Sequence, residues 1–274
     1  MQDLPLPSDF VSALSPALRQ AASIARALEG RVANHPKDGE LTDVKAALTV
    51  ADTASQEAIL VRLLEHFPEV QLEAEEDTPS VSHFAASSEA LVVIDPIDGT
   101  LRFYLEGAGP YAVMIGLAIG SQYEAGLVAL PRERLCFEAV RGRGASAMRK
   151  DGTMGPVSLA EPTGNRVLVS HNLPAPVSER LRDRGYEVTA ASGGAISVAP
   201  LIPGVCAGLR LVRENPDGVS IRGRIGALIA AEAGALVTGA TGAFPDQIRE
   251  PAPALLVAAT KHDLDALYDA LSFA

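Results

Sequence analysis

The sequence predicts a mixed α+β and α/β fold in two parts: residues 1–154 as an antiparallel sheet covered by helices, and residues 155–274 as a smaller C-terminal α/β unit closing a shared cleft. Three observations carry this prediction. Two stretches near the N-terminus repeat apolar residues at the helical spacings of three and four. Between about residues 90 and 140, short apolar runs succeed one another with turn residues between them, the pattern of meandering strands. Beyond about residue 155, strand-like and helix-like segments alternate.

The first helix is read from Ser8 to about Leu28, where Val11, Leu14, Leu18, Ala21, Ile24 and Leu28 share one face and Gly30 marks the end. A second helix is signalled by TASQEAILVRLLEHFP. There Thr53 with Gln56 forms the pattern of a capping box, Ile59, Leu60, Leu63 and Leu64 form the buried stripe, and Pro68 is the stop. VQLEA and ALVVID read as strands, followed by YAVMIGLAIG, EAGLVALP and RLCFEAV. The glycine-rich, basic RGRGASAMRKDGTM reads as a connection between the two parts. The C-terminal alternation runs RVLVS (strand), PVSERLRDRG (helix), YEVTAA (strand), GAISVAPLIPG (helix-like), AGLRLVR (strand), RIGALIAAEAG (helix), ALVTG and ALLVAAT (strands), and KHDLDALYDALSF (helix).

Composition narrows the functional classes. Lys and Arg total 23 against 34 Asp and Glu, a net charge of −11, which disfavours binding to a nucleic-acid backbone and suits either solubility or an acidic cation site. The first residues, MQDLPLPSDF, lack the basic patch and apolar core of a signal peptide, and no apolar run has the length of a membrane span. The expectation is a cytoplasmic protein with no membrane partner. Cys136 and Cys206 stand far apart and read as free thiols. The five histidines show no metal-ligand spacing, RGRGAS lacks the Lys-Ser/Thr ending of a P-loop, and no serine sits in a nucleophile-elbow pattern.

What remains is VVIDPIDGTLRF. A D-P-x-D-G sequence is first of all a good turn, with Pro96 setting φ and Asp98-Gly99 closing the bend. Its place at the end of an apolar run opens a second reading, in which Asp95, Asp98 and an intervening carbonyl converge as hard oxygen ligands suited to Mg²⁺. Upstream, LEAEED gathers Glu73, Glu75, Glu76 and Asp77, either as a solvated loop or as further ligands. Asp52 reads equally as a helix N-terminal acid.

Taken together, LTVADTASQEAI, EAEED, DPIDGTLRF, AGLVALPRERLCFEAVRGRGA and IAAEAGALVTGATG resemble, in order and spacing, the inositol monophosphatase-like superfamily of Mg²⁺-dependent phosphatases. The resemblance implies a layered α-β-α-β-α sandwich with the active site between its halves. It implies Glu75, Asp95 and the Ile97 carbonyl as ligands of an activating Mg²⁺, and a second ion shared by Asp95 and Asp98. Thr100, backed by Asp52, resembles the pair that orients and deprotonates the attacking water, and Gly99 and Thr100 would offer N–H groups to phosphate. The implied substrate is a small phosphorylated alcohol, and family members are often dimers.

The chain departs from that pattern at two positions. Ten residues before Glu232, where the family has the Asp of a Trp-Asp pair, stand Ile221 and Arg222. With Ser220 as N-cap, Arg222 and Arg224 fall in the first turn of the following helix, where positive charge opposes the helix dipole and calls for a compensating anion. Three readings of Arg222 are open: it pairs with the Asp95/Asp98 carboxylates in place of a metal, it holds the substrate phosphate, or its long stem carries the charge to solvent. The first two keep a working phosphatase with fewer ions than the family's maximum; a catalytically impaired homologue that binds an anion or partner is the alternative. Arg102, where the family has Asn, is the second departure and reads as a contact to an anion or a structural ion pair.

Overall fold

The computed structural model describes residues 4–40, 43–148, 152–159, 164–213 and 215–272. The N-terminal part opens with α1 (Pro7–Leu28), the short α2 (Asp43–Ala46) and α3 (Val50–His66). Seven strands follow: β1 (Gln71–Glu73), β2 (Ala90–Asp98), β3 (Ala112–Ile119), β4 (Gln122–Leu130), β5 (Leu135–Val140), β6 (Ala145–Met148) and β7 (Met154–Val157). They form one sheet in chain order, antiparallel throughout except for the parallel pair β1 and β2. The C-terminal part contributes β8 (Arg166–Val169), α4 (Ala175–Asp183), β9 (Glu187–Ala190), α5 (Gly193–Ser197), β10 (Val205–Leu211), α6 (Ile225–Glu232), β11 (Leu236–Thr238), β12 (Ala254–Ala258) and α7 (Lys261–Leu271). Its five strands lie in the order β11-β12-β10-β8-β9.

Burial alternates along β2 and so separates two cores. Val92 and Ile94 pack with Phe10, Leu14 and Leu18 of α1 and Ile59, Leu60 and Leu63 of α3. Leu91 and Val93 face the other way, toward Ile196 of α5 and Ile225, Leu228 and Ile229 of α6. α4 and α7 cover the far side of the second sheet through Val177, Leu181, Leu264 and Leu267 against Val167, Val169, Leu209 and Leu256. The layers therefore run α1/α3, first sheet, α5/α6, second sheet, α4/α7, the expected α-β-α-β-α sandwich. Two covered faces explain why ALVVI reads as an unbroken apolar run instead of an alternating one. Close approach between layers relies on small residues: a Cβ on Gly208 of β10 would lie 2.4 Å from the Ile196 carbonyl oxygen.

Three local expectations are corrected. α3 begins at Val50, with Thr49 as N-cap, so Thr53 and Gln56 lie inside the helix and the capping acid is Asp52. TASQ matches the capping pattern by chance, while TVAD, four residues earlier, carries it out. Leu64 is half-buried, outside the fully buried stripe of Ile59, Leu60 and Leu63. The basic connection after Val140 contains β6 and β7, so the sequence-based division at residue 154 falls within a strand of the first sheet. Arg149, Lys150 and Asp151 of that connection lie outside the described residues. Among the described residues no helix is long and apolar enough to cross a membrane.

Candidate active site

The site is built on the end of β2. Asp95 pairs with Met114 and Asp98 with Ala112, so β2 advances three residues while β3 advances two. The extra residue makes a bulge that changes the parity of the strand. Leu91, Val93 and Asp95 share the α5/α6 side by ordinary alternation, and the bulge brings Asp98 to that side too, where its Oδ2 accepts the Gly194 N–H at the start of α5. Ile97 turns the opposite way into a cluster with Ala25, Ala51, Phe103, Tyr104 and Tyr111. Gly99 then takes φ +89°, and a Cβ there would lie 2.5 Å from Phe103 Cδ2, so the position excludes a side chain on both counts. Thr100–Leu105 forms a single π-helical turn.

Asp95 is the electrostatic centre. Its side chain is only 6% exposed, and Oδ1 has no hydrogen-bond partner among the described residues. Burial first, then the neighbouring carboxylates Glu75 and Asp98, push its carboxyl well above the usual carboxylate range, with Arg222 acting in the opposite direction. Glu75 is close enough to interact with Asp95 side chain to side chain. Two acceptors so placed require a proton or a cation between them.

Glu75 is held there by a frame the sequence did not reveal. Gln56, buried in α3, donates from Nε2 to the Glu76 carbonyl at 2.6 Å and to Thr78 Oγ1 at 2.9 Å, and its Oε1 accepts the Glu76 N–H at 3.0 Å. The buried Glu76 carboxylate accepts from Lys37 Nζ at 3.1 Å. Thus Gln56, predicted as a cap, instead pins the acidic loop beside Asp95. Glu73 points outward to Arg249 Nη2 at 2.9 Å.

Asp52 does two tasks at once. Its Oδ2 accepts the Thr49 N–H at 2.8 Å and the Thr49 hydroxyl at 2.6 Å, which caps α3, while its Oδ1 accepts the Thr100 hydroxyl at 2.9 Å. Thr100 Oγ1 also lies 3.0 Å from the Ile97 carbonyl oxygen. Burial raises the Asp52 carboxyl above its ordinary pKa, against the hydrogen bonds from Thr49 and Thr100 that lower it. Thr100 and Asp52 are therefore joined directly, side chain to side chain.

The Arg222 side chain turns inward. Its Nε lies 3.8 Å from Asp95 Oδ2, with the side chain 29% exposed. Burial alone would lower its pKa, but Glu75, Asp95, Glu73 and Asp98 more than offset this and raise it. Ser220 Oγ accepts the Gly223 N–H at 3.3 Å, within the 3₁₀ turn Arg222–Arg224 that leads into α6; the N-cap of that turn is Ile221 and that of α6 is Arg224, so Ser220 is not the helix cap the sequence predicts. Arg224 is buried and donates to the carbonyls of Val219, Gln247 and Glu250. Each cation at this helix entrance thus meets its own acceptors. Arg102 forms an exposed pair with Glu106 at 2.9 Å, one helical turn on, of the kind that contributes little.

Arg132, just after β4, gave no sequence signal and proves to be a tether. It donates to Glu29 Oε1, to the Gly109 carbonyl and, at 2.6 Å, to the Phe103 carbonyl, and it stacks over the Tyr111 ring at 5.2 Å. These bonds hold both ends of the segment that follows Thr100. Arg132→Ala is expected to lower unfolding stability by about 2–3 kcal/mol, read from the shift of a urea midpoint, because it strands Phe103, Gly109 and Glu29 acceptors. Arg132→Lys should rescue little of this, lacking the planar fork. Glu232 is likewise structural: its carboxylate accepts the N–H groups of Gly142 at 2.7 Å and Gly144 at 2.8 Å. Both cysteines are free thiols as expected, burial pushing Cys136 up to about 11 and Cys206 up to about 12.

With this geometry in place, comparison with known proteins is decisive at the level of family. The model of the Inositol monophosphatase family matches residues 8–193, more than half of the chain. The chain belongs to the inositol monophosphatase family. Human inositol monophosphatase 2 is 32% identical over 138 residues, which is 50% of this chain and 46% of that protein. The chain spans less than half the length of curated relatives such as this one. An IMPase from Thermotoga maritima superposes with a TM-score of 0.73 over 96% of this chain and 98% of its own, at 19% identity. An IMPase/NADP phosphatase complexed with Mg²⁺ and phosphate gives 0.71 over 96% and 95%, at 17% identity. These two likenesses establish the fold of this inositol monophosphatase family member.

The donor set suits a divalent ion. Among the described residues no three His, Cys, Asp or Glu side chains gather as a ready cage. The carboxylates of Glu75 and Asp95 do lie beside each other, and the unpartnered buried Asp95 Oδ1 is the observation that fits a cation. Oxygen donors few in number match Mg²⁺, which retains several waters.

Proposed function

We propose that the chain is a metal-dependent phosphomonoesterase that hydrolyses a small phosphorylated alcohol. The observation that supports it is the unpartnered, buried Asp95 oxygen beside Glu75, with Thr100 on the turn that follows and hydrogen-bonded to Asp52 of α3. Mg²⁺ held by Glu75, Asp95 and the Ile97 carbonyl would supply charge stabilisation to phosphoryl oxygens and lower the pKa of water. Thr100 donates its one hydroxyl proton toward Asp52 and Ile97, which leaves its oxygen lone pairs free to accept from the attacking water. As the water oxygen attacks phosphorus, its proton passes to Thr100 Oγ1 while the Thr100 proton passes to Asp52 Oδ1. Asp52 is suited to receive it, because burial already favours its neutral form. Gly99 and Thr100 N–H groups and the Arg222 guanidinium would bind the phosphate dianion.

The test is phosphate release from a panel of small phosphomonoesters, inositol monophosphate among them, with Mg²⁺ and with EDTA. Release from at least one ester, abolished by EDTA, is expected. A second reading, an impaired homologue whose site is closed by Arg222, draws on the Arg222–Asp95 pair. No release from any ester by the native chain, with release restored in Arg222→Asp, would favour it over hydrolysis.

A further inference from the structure

The charges around Asp95 limit what the site can hold. Glu75, Asp95, Glu73 and Asp98 all act on Arg222, and Glu73 is itself balanced by its ion pair with Arg249, so the charge left to count is that of Glu75, Asp95 and Asp98. Three carboxylates against one guanidinium leave two negative charges, the charge of a single divalent ion. The two oxygens of Asp95 are divided in the same way: Oδ2 faces Arg222, while Oδ1 is buried without a partner. Asp98 has one oxygen already committed to the Gly194 N–H. The backbone on either side of Arg222 is held, because the Ile221 carbonyl accepts the Tyr123 hydroxyl at 3.0 Å and Ser220 Oγ accepts the Gly223 N–H at 3.3 Å.

We propose that Arg222 is a permanent cation of this site, standing in the electrostatic place of a second divalent ion, so that the chain takes one divalent ion per subunit. The proposal rests on the metal-dependent reading above. A guanidinium differs from a metal in two respects that matter here. It is always charged, and it lowers no water pKa, so it can steady an anionic phosphoryl group or leaving oxygen but cannot generate a nucleophile. The activation of water is thereby confined to the Glu75/Asp95 side, next to Thr100, and the Arg222 side is left to charge stabilisation. A site of this kind needs less free divalent ion to be complete than one that must fill two positions.

Counting bound Mn²⁺ by electron paramagnetic resonance, with no substrate present, tests this independently of turnover. The native chain and Arg222→Lys, which keeps the charge, are expected to bind one ion. Arg222→Gln is expected to bind a second ion or to hold the first at least about tenfold more tightly, since a positive charge near the site is gone. Two or more ions in the native chain would overturn the proposal, as would an Arg222→Gln variant equal to the native in both count and affinity. No ion in the native chain or in Arg222→Gln would overturn the metal-dependent reading itself. Melting temperatures of the three proteins, measured alongside, confirm that folded chains are compared, and the native count alone suffices to refute.

Discussion

Asp95→Asn is expected to reduce kcat/KM for Mg²⁺-dependent phosphate release by at least about 10³-fold, about 4 kcal/mol of transition-state stabilisation. The substitution preserves shape and removes charge at a buried oxygen of the site that lacks a hydrogen-bond partner among the described residues. The same change should make the metal-free protein more stable. Asp95 has its carboxyl pKa raised in the folded chain, by burial and then by Glu75 and Asp98, so the folded state binds more protons than the unfolded state. Stability conferred by that group is present below the unfolded carboxylate pKa and declines as pH rises above it. At neutral pH, then, Asp95 opposes folding, and Asn relieves it. A lost activity together with a raised melting temperature at pH 7 would separate a missing ligand from a damaged fold. A lowered melting temperature would contradict this account of Asp95.

Thr100→Val and Asp52→Asn should each lower kcat by about 10²–10⁴-fold, the range of general acid–base catalysis. Thr100 is buried, and its hydroxyl binds Asp52 Oδ1 at 2.9 Å, so the two act as one proton path. The double variant is accordingly expected to be no slower than the worse single variant, by the non-additivity of residues that work as a unit. Fully multiplicative losses, or a Thr100→Val enzyme at native speed, would break the relay. The two differ in stability. Asp52→Asn also disturbs the Thr49 cap of α3, at about 0.5–2 kcal/mol, whereas Thr100→Val leaves that cap untouched. Comparing urea midpoints of the two variants isolates the catalytic loss from the structural one.

Much of this site was legible in the chain. Apolar spacing placed α1, the body of α3 and the strands of both sheets, because burial on one or two faces leaves a periodic record. DPIDGT announced itself by composition, since proline, glycine and paired acids rarely fall together without a turn to build. The start of α3 was misread because a capping box is only four residues long, and TASQ and TVAD both match one. β6 and β7 read as a connection because two four-residue strands, ASAM and MGPV, set among glycines and charged residues, are too short to leave a pattern.

Residues whose roles depend on distant partners were not legible. Arg132 looks like any arginine in a turn, yet it ties Glu29, Phe103 and Gly109 together. Gln56 looks like a capping residue, yet it pins the acidic loop through Glu76 and Thr78. For Arg222 the sequence raised the question and left three answers.

By itself the sequence determined the layers, the family and the carboxylates at the end of β2, because these follow from local periodicity and from a turn whose residues are adjacent. Only the tertiary structure decided that the bulge after Asp95 carries Asp98 to the same side, that Gln56 brings Glu75 beside Asp95, and that Arg222 turns inward to Asp95 Oδ2. The physical reason is one of range. Helix and strand patterns arise from burial repeated every few residues, whereas the charge balance of a site is set by groups that the chain brings together only when its layers pack.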